Sequence, residues 1–357
     1  MPSRWLAAHA AGFGPLVLRL AERDCPRSLP RTDGDNAVRL ETDAEPAALA
    51  SYCRSLFRVI GEARGELERA SLALAADPAC DRELRRAARG ASPRGPARGR
   101  FVLRAFGPDD PAPISRDARS ALEGLVARAT GLEAVPPNRA GGAGPAGRER
   151  EFRVQERADG SVLLLERRGQ RESEPRRGEL PRTTCRLLAE MTGPEPGDVF
   201  LDPFCGYGGI ALERALAAPY RFIFASDLDG AKVREVKDAL AAREFERRRK
   251  TFFPKLRDAL DGSAFEEGFV TAVATDPPWG AYEGGPDRAE ALGLLSRFLD
   301  AAPRLVARGG RLVLLLAREI EPEALSRGFA SAFGFLEGLE VLVSGRKARV
   351  LLYGRAL

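Results

Sequence analysis

Asp202-Pro203-Phe204-Cys205-Gly206-Tyr207-Gly208-Gly209-Ile210 follows the apolar run Val199-Phe200-Leu201 and leads into Ala211-Leu212-Glu213-Arg214-Ala215-Leu216. The spacing predicts a short buried strand, a glycine turn and the start of a helix. Glycines at alternate positions let the backbone turn sharply and let a ligand approach without meeting a Cβ. The helix N-terminus behind such a loop offers N–H groups that have no partner inside the helix. The loop lacks the Gly-Lys-Ser/Thr ending of a phosphate-gripping loop and the full Gly-x-Gly-x-x-Gly fingerprint. A cofactor turn and a merely structural glycine turn both fit these residues alone.

A second landmark, Asp276-Pro277-Pro278-Trp279-Gly280, comes after the apolar run Phe269-Val270-Thr271-Ala272-Val273-Ala274. Two prolines cannot sit inside a central strand, so the strand must stop at Asp276. Fixed φ at both prolines makes the local carbonyls rigid acceptors. An acidic acceptor, a stiff backbone and an aromatic face at a strand end form a clamp for a planar, amino-bearing base.

Together these stretches resemble the S-adenosylmethionine-dependent N-methyltransferases that act on exocyclic amino groups. The likeness is to the branch with an RNA-binding THUMP domain ahead of the catalytic domain, typified by tRNA guanine-N2 methyltransferases. Tyr207, Gly209 and Trp279 depart from the residues usual there. The resemblance implies a class I methyltransferase fold: Rossmann-like, α/β, doubly wound, closed by a C-terminal antiparallel hairpin and preceded by an α+β THUMP-like RNA-binding region. It implies Asp276, Pro277, Pro278 and Trp279 as the catalytic clamp. For the cofactor S-adenosylmethionine it implies Asp202, Pro203, Gly206, Gly208, Asp227, Leu228, Asp258 and Ala259. RNA, tRNA in particular, is the implied partner in the cytoplasm, with room for a small activating protein subunit. Ribosomal-RNA or DNA amino methylation, protein glutamine methylation and a silent RNA-binding protein remain alternatives.

Composition agrees with two domains in 357 residues, 44% of them hydrophobic. The five cysteines form no C-x-x-C pair, and there is one histidine, so neither a zinc site nor a disulfide framework is expected. No run has the 18 or so apolar residues of a membrane helix. Trp5 to Leu20 is interrupted by Gly12, Gly14 and Pro15, which favours a first folded element over a signal peptide. The net charge of +5 suits an anionic partner. With 51 arginines against 5 lysines, however, arginine abundance reflects coding bias, and only its distribution is informative.

We read residues 1–172 as an N-terminal α+β region, ferredoxin-like then THUMP-like, 173–182 as a linker and 183–357 as the Rossmann-like domain. Within the first, Ala37–Leu40 alternates like a strand, Pro46 to Ile60 has helical spacing and Arg100–Phe106 reads as a strand. The arginine-rich stretch Arg82–Arg104 contains a Gly/Pro/Ser loop at 90–99, either solvated or phosphate-facing. Ser115–Thr130 reads as a capped helix, and Glu151–Gln155 with Ser161–Glu166 as a hairpin turning at Asp159-Gly160. In the second, a helix over Thr183–Met191 precedes the glycine loop. Arg221–Ala225 is a strand ending near Asp227, a position suited to ribose hydroxyls. Asp229 is the alternative, as cap of a helix over Ala231–Lys250. The helix's terminal Arg247-Arg248-Arg249-Lys250 suits either its dipole or an RNA contact. A helix over Arg288–Val306, a strand at Leu312–Leu316 and strands at Glu340–Val343 and Ala348–Tyr353 complete the chain.

Overall fold

The computed structural model describes residues 2–90, 99–108, 110–136, 149–168, 174–242, 245–258, 260, 265–280, 287–343 and 345–357. The chain divides into two compact units, Met1–His9 with Leu18–Ser173 and Ala10–Val17 with Glu174–Leu357. Most of the 90–99 loop and Ala259 lie outside the described residues. None of the described helices is long and apolar enough to cross a membrane.

The strands of the first unit are β1 (Ser3–Ala8), β2 (Arg31–Thr32), β3 (Ala37–Thr42), β4 (Ser55–Arg64), β5 (Arg100–Phe106), β6 (Glu133–Ala134), β7 (Arg150–Glu156) and β8 (Ser161–Arg168). They form one sheet in the order β2-β3-β1-β4-β8-β7-β5-β6. Sequence suggests two successive modules. The antiparallel pairing of β4 with β8 makes them one continuous surface instead. The helices are α1 (Gly14–Asp24, shared between the units), α2 (Leu67–Ala76), α3 (Pro78–Gly90) and α4 (Arg116–Thr130). Leu74, Leu84 and Leu122 from the last three pack on Ile60, Phe101, Phe152 and Leu164 of the sheet. Ser115 caps α4 by accepting from Ala118 N at 3.1 Å, and Gly131, at φ 74°, ends it.

Pro46 to Ile60, whose spacing predicts a helix, does not form one. It contains only a short 3-10 turn at Ala47–Ser51, then β4. β4 runs between β1 and β8. Its Leu56, Phe57, Val59 and Ile60 are all buried, so both faces are apolar. Alternation is thereby erased, and with Leu49 and Tyr52 upstream the pattern imitates a helix. Of the arginine-rich stretch, Arg82 to Arg89 belongs to α3, where Arg85 pairs with Asp81 and Arg86 with Glu83.

The second unit opens with α5 (Arg182–Met191), then alternates β9 (Val199–Asp202), α6 (Gly209–Ala217), β10 (Phe222–Asp227), α7 (Gly230–Ala239), β11 (Phe252–Leu256) and β12 (Val270–Thr275). It finishes with α8 (Arg288–Leu305), β13 (Val306–Ala317), α9 (Pro322–Leu325), α10 (Arg327–Ala332), β14 (Phe333–Val343) and β15 (Arg346–Arg355). The sheet order is β11-β10-β9-β12-β13-β15-β14. Strands β9 to β13 are parallel to their neighbours, and β13-β15-β14 are antiparallel. This is the expected doubly wound sheet with its terminal hairpin. All four residues of β9 are buried, as expected of a parallel strand covered on both faces. The core on one side joins Leu201, Val273, Phe298, Leu299, Leu314 and Tyr353. Asp287 and Glu290 close a capping box at the start of α8.

The helix expected over Ala231–Lys250 ends at Ala239. Phe245 is buried and pins the chain beyond it, while Arg249 Nε donates back to Leu240 O at 2.6 Å. A helix continuing to 250 would forfeit both contacts.

Candidate active site

The chain leaves β9 and turns to β10 and β11 on one side, then returns to β12 on the other side of β9. That reversal opens a crevice at the carboxyl ends of the strands, the ligand position of open α/β sheets. A cavity of about 720 Å³ occupies it. Register places three carboxylates around its base. Asp202 ends β9 opposite Ala225, so Asp227 stands two residues further along β10. On the other side Val273 pairs with Leu201, which places Asp276 just beyond the end of β12.

The Asp276-Pro277-Pro278-Trp279 stretch lines this cavity together with Pro203, Gly206, Asp227, Leu228 and Asp258. The two landmarks, far apart in sequence, therefore meet. Asp202 and Gly208 do not line it. Asp202 is fully buried, with Oδ1 accepting from Thr275 Oγ1 at 2.8 Å and Oδ2 without a hydrogen-bond partner. Burial pushes its carboxyl up to about 7, against the pull of the Thr275 hydroxyl and the Phe204 N–H and with a push from Asp227.

Gly208 has a different task from the one expected of it. Its φ is 82°, and a Cβ there would stand 2.7 Å from Val236 Cγ2 of α7. The glycine lets the loop turn and lets α7 pack against it. Nor are the loop amides at Gly206 and Gly208 free for a ligand. Gly206 N donates to Asp227 Oδ2 at 2.9 Å, and Gly208 N to Cys205 O at 2.7 Å. The donors left facing the cavity belong to the first turn of α6, where Gly209 and Ile210 line it.

Asp227 Oδ1 also accepts from Asp229 N at 2.8 Å, so one carboxylate bridges the glycine loop and the α7 entrance. Asp229 caps α7 by accepting from Ala231 N at 2.8 Å. Of the two acidic residues, Asp227 lines the cavity and Asp229 caps the helix.

Asp276 is half-buried. Its Oδ1 and Trp279 Nε1 are both shielded from solvent and make no hydrogen bond of good geometry. Burial pushes the Asp276 carboxyl up to about 8; the nearby Trp279 indole N–H offsets part of this, and Asp202 adds to it. Glu179, Asp227 and Asp258 also line the cavity, and so do the cations Arg177, Lys232 and Arg257. Among the described residues no group of three His, Cys, Asp or Glu side chains could hold a metal ion.

The stretch read as a linker is a wall of the cavity, through Arg177, Gly178, Glu179 and Leu180, and Cys185 of α5 joins it. The Arg176 guanidinium lies 4.3 Å from the Tyr207 ring centroid and the Lys232 ammonium 5.8 Å from it. Arg176 also pairs with Glu179 and Glu235. In the sequence Tyr207 stands out only as a departure from the usual residue, and Lys232 does not stand out at all. A cation in the first turn of an amphipathic helix looks solvated until the fold sets it over an aromatic ring.

Residues 168–333 match the family model of the UPF0020, RMKL-like methyltransferase domain. A tRNA (guanine(10)-N2)-dimethyltransferase of Methanothermobacter thermautotrophicus is 30% identical over 150 residues, 42% of this chain and 41% of that protein. A tRNA (guanine(6)-N2)-methyltransferase of Thermus thermophilus is 30% identical over 187 residues, 49% of this chain and 50% of that one. The chain thus matches half or less of the length of these curated relatives. The crystal structure of TrmN from Thermus thermophilus superposes with a TM-score of 0.73 at 23% identity, covering 99% of both chains, which shows a shared fold. Residues 168–333 are thus similar to the RMKL-like methyltransferase domain, and the doubly wound sheet built above agrees with that likeness.

Proposed function

We propose that this protein is an S-adenosylmethionine-dependent N-methyltransferase that modifies the exocyclic N2 of guanine in tRNA. One observation carries the reading: Asp276, Pro277, Pro278 and Trp279 wall the same cavity as Gly206, Asp227 and Asp258. A base clamp and a nucleoside cradle opening on one space are what transfer between two such reactants requires. The names of the two tRNA guanine-N2 methyltransferases supply the substrate class.

The residues present fit the cofactor. The cavity is large enough, and Asp276 Oδ1, shielded from solvent and without a hydrogen bond of good geometry, stands on its lining as an acceptor for the reactants. In this reading Asp227 accepts the ribose hydroxyls, Leu228 and Asp258 hold the adenine, and Pro203 with the first turn of α6 borders the methionine portion. Asp202 acts from beneath by fixing the strand ends. S-adenosylmethionine, when bound, supplies the electrophilic methyl group.

The chain's own residues prepare the nucleophile. An exocyclic amine of guanine is weak because its lone pair is delocalised into the ring. Accepting its N–H groups on Asp276 Oδ1 and the Pro277 carbonyl favours a pyramidal nitrogen and frees that pair. Both prolines fix these acceptors beforehand, so the transition state requires little reorganisation. Trp279 stacks the extruded base, worth roughly 1–3 kcal/mol. Holding both reactants in line contributes on the order of 7–11 kcal/mol. The N-terminal unit, THUMP-like in this reading, docks the RNA, and the protein works in the cytoplasm.

The test is nucleoside mass spectrometry of unmodified tRNA incubated with the protein and labelled cofactor. Label in N2-methylguanosine is expected, absent with Asp276→Asn. Trp279→Ala should lower the single-turnover rate and Trp279→Tyr should retain most of it. Label in another nucleoside, or in none, overturns the assignment.

A further inference from the structure

Arg247-Arg248-Arg249-Lys250 is the cationic run that sequence leaves divided between helix-end and anion-binding roles. The structure divides the run itself. Arg249 takes the helix-end role, donating to Leu240 O at 2.6 Å and also to Ala241 O. Arg247 and Arg248 point to different work: with Tyr220 and Thr251 they line a second cavity of about 440 Å³. Leu216 and Ala217 at the end of α6, with Ala218 and Pro219 just beyond it, complete the lining.

This cavity sits where the chain enters β10, whereas Asp227 marks the strand's other end. Six residues of strand put roughly 20 Å between it and the catalytic crevice. Its chemistry favours an anion. Two of the backbone acceptors beside it are occupied, since Arg214 donates to Ala218 O at 3.1 Å and to Pro219 O at 3.4 Å. Tyr220 Oη is shielded from solvent, makes no hydrogen bond of good geometry and lies beside the Thr251 hydroxyl. Burial raises the pKa of this phenol, so at neutral pH it remains an O–H donor. Arg247 is exposed, and Glu246, the acidic residue beside it, does not line the cavity. Guanidinium groups match the two oxygens of a phosphodiester in a way that a point charge does not.

We propose that this cavity is a phosphodiester-binding site, through which the methyltransferase unit grips the backbone of its RNA substrate far from the target base. The proposal rests on the RNA reading given above. It assigns Arg247, Arg248 and Tyr220 to binding alone, with no part in the chemistry.

The experiment compares the wild-type protein with Arg247→Glu and with Arg247→Glu/Arg248→Glu. Affinity for an unmodified tRNA transcript is measured by fluorescence anisotropy across a salt series, beside calorimetric titration with S-adenosylmethionine. The double variant should bind RNA about tenfold or more weakly, with the slope of log affinity against log salt smaller by about one for each arginine. Cofactor affinity and the single-turnover rate at saturating RNA should be unchanged. Arg249→Gln should lower the melting temperature while leaving the salt slope alone. Arg247 is exposed, so its single variant keeps the test decisive if the double variant folds poorly. Wild-type RNA binding with both variants unaffected overturns this site alone. A wild-type protein that binds cofactor but shows no salt-dependent RNA binding overturns the RNA reading and this site with it.

Discussion

Thr275 Oγ1 donates to Asp202 Oδ1 at 2.8 Å, joining the ends of β12 and β9 beneath the crevice. These strands flank the point where the chain reverses direction, so the bond sets the spacing between the glycine loop and the Asp-Pro-Pro stretch. Thr275→Val keeps the shape and removes the donor, leaving a buried carboxyl without it. We expect a loss of about 1–3 kcal/mol at pH 8. The donor favours the carboxylate, so its removal raises the folded pKa further, and the loss should shrink towards pH 5, where Asp202 is protonated. Urea unfolding at both pH values checks this; a loss that grows on acidification would contradict the assignment.

Asp276 offers a second pH test. Its folded pKa, about 8, lies above the ordinary 3.8. The folded protein therefore holds a proton that the unfolded chain gives up, across that window. Stability from this source is full below pH 4 and declines as pH rises towards 8. Asp276→Asn should flatten that decline in the cofactor-free protein, as read by denaturant unfolding at a series of pH values. Asp202 shares the window, so the two carboxyls titrate as a pair and part of the slope should survive.

Asp227 carries two internal hydrogen bonds besides its exposure to the cavity, so its replacement should affect both loop and ligand. Asp227→Asn puts an amide donor where a backbone N–H already points. We expect S-adenosylmethionine affinity to fall about 10- to 100-fold, the range for losing a hydrogen bond to a charged acceptor. Asp229→Asn, which alters the α7 cap, should leave affinity within about twofold, because capping preferences of Asn and Asp are alike. Calorimetry distinguishes them, and equal losses would show that the cavity does not discriminate between the two positions.

Gly208→Ala should destabilise by two separable routes. The left-handed backbone costs roughly 1–2 kcal/mol for any residue with a Cβ. Contact with Val236 adds to this. Val236→Ala in the same chain should recover the second part and not the first. A double-mutant cycle on thermal stability measures the coupling; additive losses would mean that α7 is not held against the loop through this pair.

The sequence by itself determined the parts of the site that local backbone chemistry dictates. Glycines at 206 and 208 take positive φ, and Pro277-Pro278 ends β12 because proline supplies no donor to a ladder. Ser115 is legible as a cap because a cap is a relation within four residues. Tertiary structure decided what depends on strand order and register. It set Asp202 under the crevice and Asp227 facing it, though both are acidic residues at strand ends. It made β4 a strand, because neighbours on both sides bury both of its faces and remove the alternation that marks a strand locally. It also separated Arg249 from Arg247 and Arg248: adjacent cations have the same chemistry, and only the path of the chain beyond α7 turns one of them back to the helix end.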